Sequence, residues 1–213
     1  MKYGFCFQLC MTLCVAVLAS FSAFAQSSGD VRIGKQTWMS KNLDVSTFRN
    51  GKAIPEAKNA KQWHKAGKNK KAAFCYYNYD HKNGEKYGKL YNWFAVNDPR
   101  GIAPKGYHVP SDAEWTVLTD FLGGEDLAGQ KMKSTTGWYN SGNGENSSGF
   151  NGLPSGGCNS LGNHYFSENG FFWSSSESST SNAVSRLLYD KGTRVNRNNK
   201  DKSNGLSVRC IKD

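Results

Sequence analysis

Residues 137–170 read GWYNSGNGENSSGFNGLPSGGCNSLGNHYFSENG. Glycine, asparagine and serine interrupt both helical and strand periodicity here, so no long regular element fits the stretch. Irregular runs beyond about 15 residues are usually functional or disordered. Disordered segments are poor in aromatics, whereas this one carries Trp138, Tyr139, Phe150, Tyr165 and Phe166. The expectation is an ordered loop on a rigid scaffold, where binding residues tend to sit. Trp138, Tyr139 and Tyr165 are the candidate ligand-binding residues, because flat rings stack on sugar faces while asparagine amides meet hydroxyls. The competing expectation is that these rings fold inward as core and hold the loop in place.

The flanking sequence supplies the scaffold. VRIGKQTWMSKNLDV alternates apolar and polar residues around Gly34-Lys35, the pattern of a hairpin. IPEAKNAKQWHKAG puts Pro55 at a helix start, spaces Ala57, Ala60 and Trp63 helically and ends at Gly67. YGKLYNWFAV is a short buried helix or strand, which periodicity does not separate at this length. AVSRLLYDKGTRVNRN reads as a second hairpin about Lys191-Gly192, and GLSVRCIKD as a closing strand. No repeat and no linker interrupts the chain, which predicts one domain over residues 26–213. Residues 1–25 read as a cleaved signal peptide: Lys2, a short apolar run, then Ala23-Phe24-Ala25 before the cut. No later segment is long and apolar enough to span a bilayer, so export to the medium or the cell surface is expected, with no transmembrane segment.

Export changes the meaning of charge and sulfur. Of the net charge of +10, only Lys2 belongs to the leader, and the excess gathers at residues 52–71 and 186–212. An exported chain seldom meets nucleic acid, so a solvated lysine face that attracts anionic surfaces is expected and a nucleic-acid partner is not. Of six cysteines, Cys75, Cys158 and Cys210 lie beyond the leader. An oxidising compartment permits one disulfide among them and leaves one thiol over. None has the paired C-x₂₋₄-C spacing of a zinc site, and His64, His81, His108 and His164 match no zinc motif. No metal ligand and no cofactor is therefore assigned. Calcium could use Asn97-Asp98 with Asp80 or Glu177, yet no calcium motif supports it and Asn-Asp-Pro is strong turn chemistry.

GYHVPSDAEW concentrates polar residues as an active site would. Its S-x-x-E, Ser111 to Glu114, is a capping box that starts a helix carrying Trp115, Leu118, Phe121 and Leu122 and stopped by Gly123-Gly124. Only His108 is left without a job in that helix start, and a base is defined by geometry rather than residue type, so a structural role is expected. WSSSESS lacks the G-x-S-x-G context of a nucleophile, and GEKYGKL is not a phosphate-binding loop. Glu114, Glu145, Glu168 and Glu177 show no spacing that pairs two carboxylates across a sugar bond. No catalytic residue is assigned.

Five blocks in order, IGKQTWMSKNLDVSTFRNG, KYGKLYNWFAVND, GYHVPSDAEWTVL, FWSSSE and NGLSVRCIKD, resemble the Fibrobacter succinogenes major paralogous domain, or FISUMP. The resemblance spans nearly all of the chain beyond the leader and implies a bacterial secreted or surface protein. HVPSDAEW with the distant VRCIKD is also similar to the frame of formylglycine-generating and sulfatase-modifying proteins. That similarity implies an α+β, C-type-lectin-like fold: a twisted antiparallel sheet, short helices and long irregular loops. The oxidase activity does not carry over, because those enzymes use two closely spaced cysteines where this chain has Cys210 alone, and the sugar-binding calcium motifs of lectins are absent. Cys75 in FCYYN and Cys210 in VRC lie in blocks resembling the family, while Cys158 lies where relatives more often carry Tyr or Arg. The resemblance thus implies that a single bridge would join Cys75 and Cys210 and leave Cys158 free. The function expected is an exported, non-catalytic binding module for carbohydrate or another surface polymer. The alternatives are a secreted enzyme acting on glycans or proteins, or an adhesive or structural surface protein.

Overall fold

In the computed structural model, residues 29–165 and 167–213 are described, and the expected signal peptide lies outside them. The alternation about Gly34 forms an antiparallel hairpin of β1 (Asp30–Ile33) and β2 (Gln36–Met39). Gly34 turns it at φ 61°, and a Cβ there would meet the Phe121 ring at 2.9 Å. The next helix, α1 (Ala60–Lys68), begins later than Pro55 suggests, because the Asn59 side chain caps it by accepting the Gln62 N–H. Residues 55–57 instead pair like a strand: Ala57 N–H donates to Phe74 O, and Phe74 N–H to Pro55 O. Phe74 opens β3 (Phe74–Cys75), and α2 (Lys82–Tyr87) follows. The ambiguous YGKLYNWFAV is both strand and helix. Its β4 (Leu90–Asn92) runs into α3 (Trp93–Val96), where the Asn92 side chain caps by accepting the Ala95 N–H.

After β5 (Tyr107–His108) comes α4 (Asp112–Phe121), and the capping box forms in both directions between Ser111 and Glu114. Gly123 and Gly124, at φ 102° and 91°, end α4 and launch α5 (Glu125–Met132), a helix the sequence pattern did not signal. Among its described residues, the 137–170 segment contains as strands β6 (Gly157–Cys158) and β7 (His164–Tyr165) before a longer strand opens at its last residue. It is ordered by cross-bonds instead: Ser134 N–H donates to Gly152 O, Gly144 N–H to Ser134 O and Gly152 N–H to Met132 O. The longest strands follow as a meander, β8 (Gly170–Glu177), β9 (Asn182–Leu188) and β10 (Val195–Asp201). The closing stretch splits into β11 (Gly205–Leu206) and β12 (Ile211–Lys212), which enter different sheets.

Among the described residues three sheets form, in the orders β1-β2-β12-β5, β10-β9-β8 and β3-β4-β11-β6-β7. Their named strand pairs are antiparallel, so the architecture is α+β with short helices. One apolar cluster gathers Tyr91, Trp93, Phe171, Trp173 and Val208. A second packs Trp38 at a tilt against Trp115 (centroids 4.9 Å) with Phe150 and Phe172 beside them. The third is Ala57, Trp63, Ala73, Cys75, Leu90 and Cys158, beneath α1. Buried cations tie loops to these clusters. Arg209 donates to Met39 O, Phe150 O and Asn42 Oδ1 and lies 4.3 Å over the Phe150 ring. Lys133 reaches the carbonyls of Tyr189, Asp190 and Gly192. A buried charge is tolerable only when so many dipoles face it.

Candidate functional site

The three candidate aromatics do not share a face. Trp138 is 6% exposed in the second cluster, where its indole N–H donates to Ser134 Oγ (3.0 Å) and Gly152 O (3.2 Å). Tyr165 packs against the first cluster, edge-on to Phe171 at 5.4 Å. Tyr139 alone of the three is open to solvent, at 63%. Asn143 Oδ1 accepts the Trp138 backbone N–H, and Asn140 and Ser141 take positive φ just after it, so the chain turns sharply around a buried indole. The inward-folding alternative describes Trp138, and the loop is a clamp on the core rather than a platform of three rings.

The GYHVPSDAEW cluster has geometry of its own. His108 lies between two carboxylates, Nε2 2.7 Å from Glu114 Oε1 and Nδ1 2.8 Å from Asp213 Oδ1. Burial opposes its charged form, but the Asp213 and Glu114 hydrogen bonds outweigh that and raise its pKa. Ser111 Oγ donates to Glu114 Oε2, so the carboxylate stands between serine and imidazole. A nucleophilic triad needs the imidazole in that middle place. The group caps α4 and joins it to the chain's last strand; it is no acyl-transfer site. Two of the other candidate acids, Asp98 and Glu177, are paired with cations. Both oxygens of Asp98 meet the Arg100 guanidinium at 2.7 Å, and Glu177 pairs with Lys202. The Asn97-Asp98 segment is a turn closed by Gly101 N–H on Asp98 O.

Along α1 runs a cleft of about 480 Å³. Its floor is Ala57, Ala66 and Ala73, and its rim carries Gln62, Asn69, Lys58, Lys65 and Lys71. Amphipathic α1 produces this: Trp63 and Gly67 are buried, while Lys61, Lys65 and Lys68 face out. Gly67 is needed for the approach, since a Cβ there would lie 2.7 Å from Ser203 Cβ.

Beneath the same helix the structure assembles residues that spacing kept apart. The ligand-type atoms of Cys75, Cys158 and His164 all lie within 4.8 Å of one another, with Cys75 Sγ 3.9 Å from His164 Nε2. Cys158 and His164 are cross-strand partners in β6 and β7, and Cys75 comes from β3. The cysteines are free thiols, and the partner beside Cys75 is Cys158, not Cys210, which is buried in the first cluster. The bridge between Cys75 and Cys210 that the family blocks imply is thus not formed, and a cysteine–histidine set comes together that no zinc-type spacing in the sequence signalled. A hydrogen bond from Cys75 holds Cys158 down to about 6 against its burial, helped by His164 and Tyr79. Burial, with Cys158 as neighbour, pushes Cys75 well up. The only local sequence signal was the CNSLGNH turn, whose ends meet across a hairpin.

These features define a small α+β domain with a basic surface cleft and a buried sulfur–imidazole cluster. The Fibrobacter succinogenes major domain matches residues 31–212, and the chain belongs to that family. No curated protein and no solved structure matches the chain. Among the described residues no helix is long and apolar enough to cross a membrane.

Proposed function

We propose that this domain is an exported, non-catalytic binding module for a surface polymer, and that the α1 cleft takes an anionic polysaccharide. The observation that carries this is the cleft's chemistry: an apolar floor with amide and ammonium groups and the single carboxylate of Glu56 around it. Between residues 52 and 71 the chain has seven lysines and one acid, Glu56, and that acid is paired with His81. A cleft of this size suits a few saccharide units, with the amides meeting hydroxyls and the lysines meeting carboxylate or sulfate. Long ammonium side chains steer an anionic polymer in without fixing one geometry.

The test is binding of the purified protein to polyuronates, sulfated glycans and neutral glucans, with and without chelator. Binding to the acidic polymers that weakens with salt is expected. Lys65→Glu with Lys71→Glu together should lower affinity by about tenfold, as two lost surface ion pairs imply. Equal binding to neutral glucans, or no change in the double variant, removes the cleft from consideration.

A further inference from the structure

We propose that Cys75, Cys158 and His164 form a binding site for a thiophilic closed-shell cation, Zn²⁺ or Cu⁺, which clips the two edges of the five-stranded sheet together. In that sheet β3 and β7 are the outer strands, yet Cys75 on β3 and His164 on β7 bring their ligand atoms within 4.8 Å. The sheet must therefore curl, and Cys158 on β6 meets the same point. Nothing covalent holds the curled edges, since the cysteines are thiols.

The donor set selects the ion. Two sulfurs and one imidazole are soft ligands that favour Zn²⁺ or Cu⁺ over calcium or magnesium, which want oxygen. With Zn–S near ~2.3 Å and Zn–N near ~2.0 Å, a tetrahedral ion needs donor separations of roughly 3.5–3.8 Å. The Cys75–His164 separation of 3.9 Å is almost there. The remaining contraction is within reach of small side-chain rotations. His164 is held for the task, with Tyr77 and Tyr79 packed edge-on to its ring at 5.1 and 4.6 Å. Its Nε2 also lies 3.1 Å from Tyr76 O, so coordination there exchanges that contact for the ion and leaves the ring proton on Nδ1. Tyr79 O–H donates to Gly162 O at 2.7 Å, which fastens the β6–β7 turn over the site. Three protein ligands suit Cu⁺ as they stand and Zn²⁺ with one solvent ligand added. On binding, the thiols release their protons to solvent as the metal–sulfur bonds form. The half-buried His164 gives the entry side, and both cysteines are fully enclosed.

The experiment uses the full chain, reduced and stripped of metal. Zn²⁺ is titrated against a chromophoric chelator, and Cu⁺ against bicinchoninate under anaerobic conditions. One equivalent bound per chain is expected, with a raised Tm and, for Co²⁺ in place of Zn²⁺, a thiolate charge-transfer band. His164→Gln and Cys158→Ser should each weaken binding by more than about tenfold, while Cys210→Ala keeps the stoichiometry. Bound metal should also shield Cys75 and Cys158 from alkylation, a readout on the unaltered chain that stands if a variant fails to fold. The proposal is overturned if the folded, reduced protein takes up no stoichiometric metal, or if the two variants bind as tightly as the parent. It is equally overturned if the isolated protein carries a Cys75–Cys158 disulfide.

Discussion

Trp138 shows how one side chain converts a glycine-rich run into fixed structure. Its indole is enclosed by the second cluster and donates to Ser134 Oγ and Gly152 O, on either side of the loop it begins. Lys133, whose ammonium lies 5.2 Å over that ring, spends its hydrogen bonds on the carbonyls of the β9–β10 turn. Loop, α5 and hairpin therefore meet at the packed side chains of Lys133 and Trp138. Trp138→Ala removes a buried ring and two hydrogen bonds, and should destabilise the fold by roughly 3–5 kcal/mol. Urea denaturation measures this. An unchanged midpoint would show that the indole does not hold the loop.

Among the elements, α4 has the most specified start. Glu114 accepts the Ser111 N–H and O–H with one oxygen and His108 with the other. Burial raises the Glu114 pKa, but the Ser111 and His108 bonds outweigh it and leave the carboxyl below its usual range. His108 is shifted the other way. The signs give opposite limbs. The His108 contribution is complete below its unfolded pKa of about 6.5 and is lost as pH rises through the raised folded value. The Glu114 contribution is complete above its unfolded pKa of about 4.3 and is lost as pH falls through the depressed folded value. The pair thus supports the fold best between those two unfolded values. A series of urea midpoints against pH should show both limbs, and Glu114→Gln should flatten them. Parallel profiles for parent and variant would mean that other groups set the pH dependence.

Across the whole molecule, short strands in three sheets need fastening from side to side. Arg209 does this near the chain's end. It is fully buried, burial pushes its pKa down to about 9, and its guanidinium spans carbonyls of β2 and of the 137–170 loop. Asn42 Oδ1 accepts from it as well, while the Asn42 amide donates to Tyr87 O and so carries the tie on to α2. Arg209→Met keeps much of the volume and strands these acceptors in the core. A loss of about 3 kcal/mol or more is expected from the unsatisfied groups, read from calorimetry or urea unfolding. A variant as stable as the parent would show that packing alone closes the C-terminal block. The curled five-stranded sheet is the second place where distant edges meet, and the cysteine–histidine cluster sits at that seam.

The sequence by itself determined what is local. Alternation about Gly34 and about Lys191-Gly192 made two hairpins, and Ser111 with Glu114 made a helix start, because these signals act within a few bonds of one another. The family followed from the order of five blocks. The start of α1 was also local but was decided by Asn59, a better cap than Pro55, once residues 55–57 had a strand partner in Phe74. The inward turn of Trp138, the enclosure of Arg209 and the meeting of Cys75 with Cys158 and His164 were not legible. Each depends on which surfaces the sheets bury against one another, and a cysteine's residue type is the same whether its neighbour is leucine or imidazole. Only the tertiary fold brings such partners within reach, since their contacts arise from packing and strand order rather than from spacing along the chain.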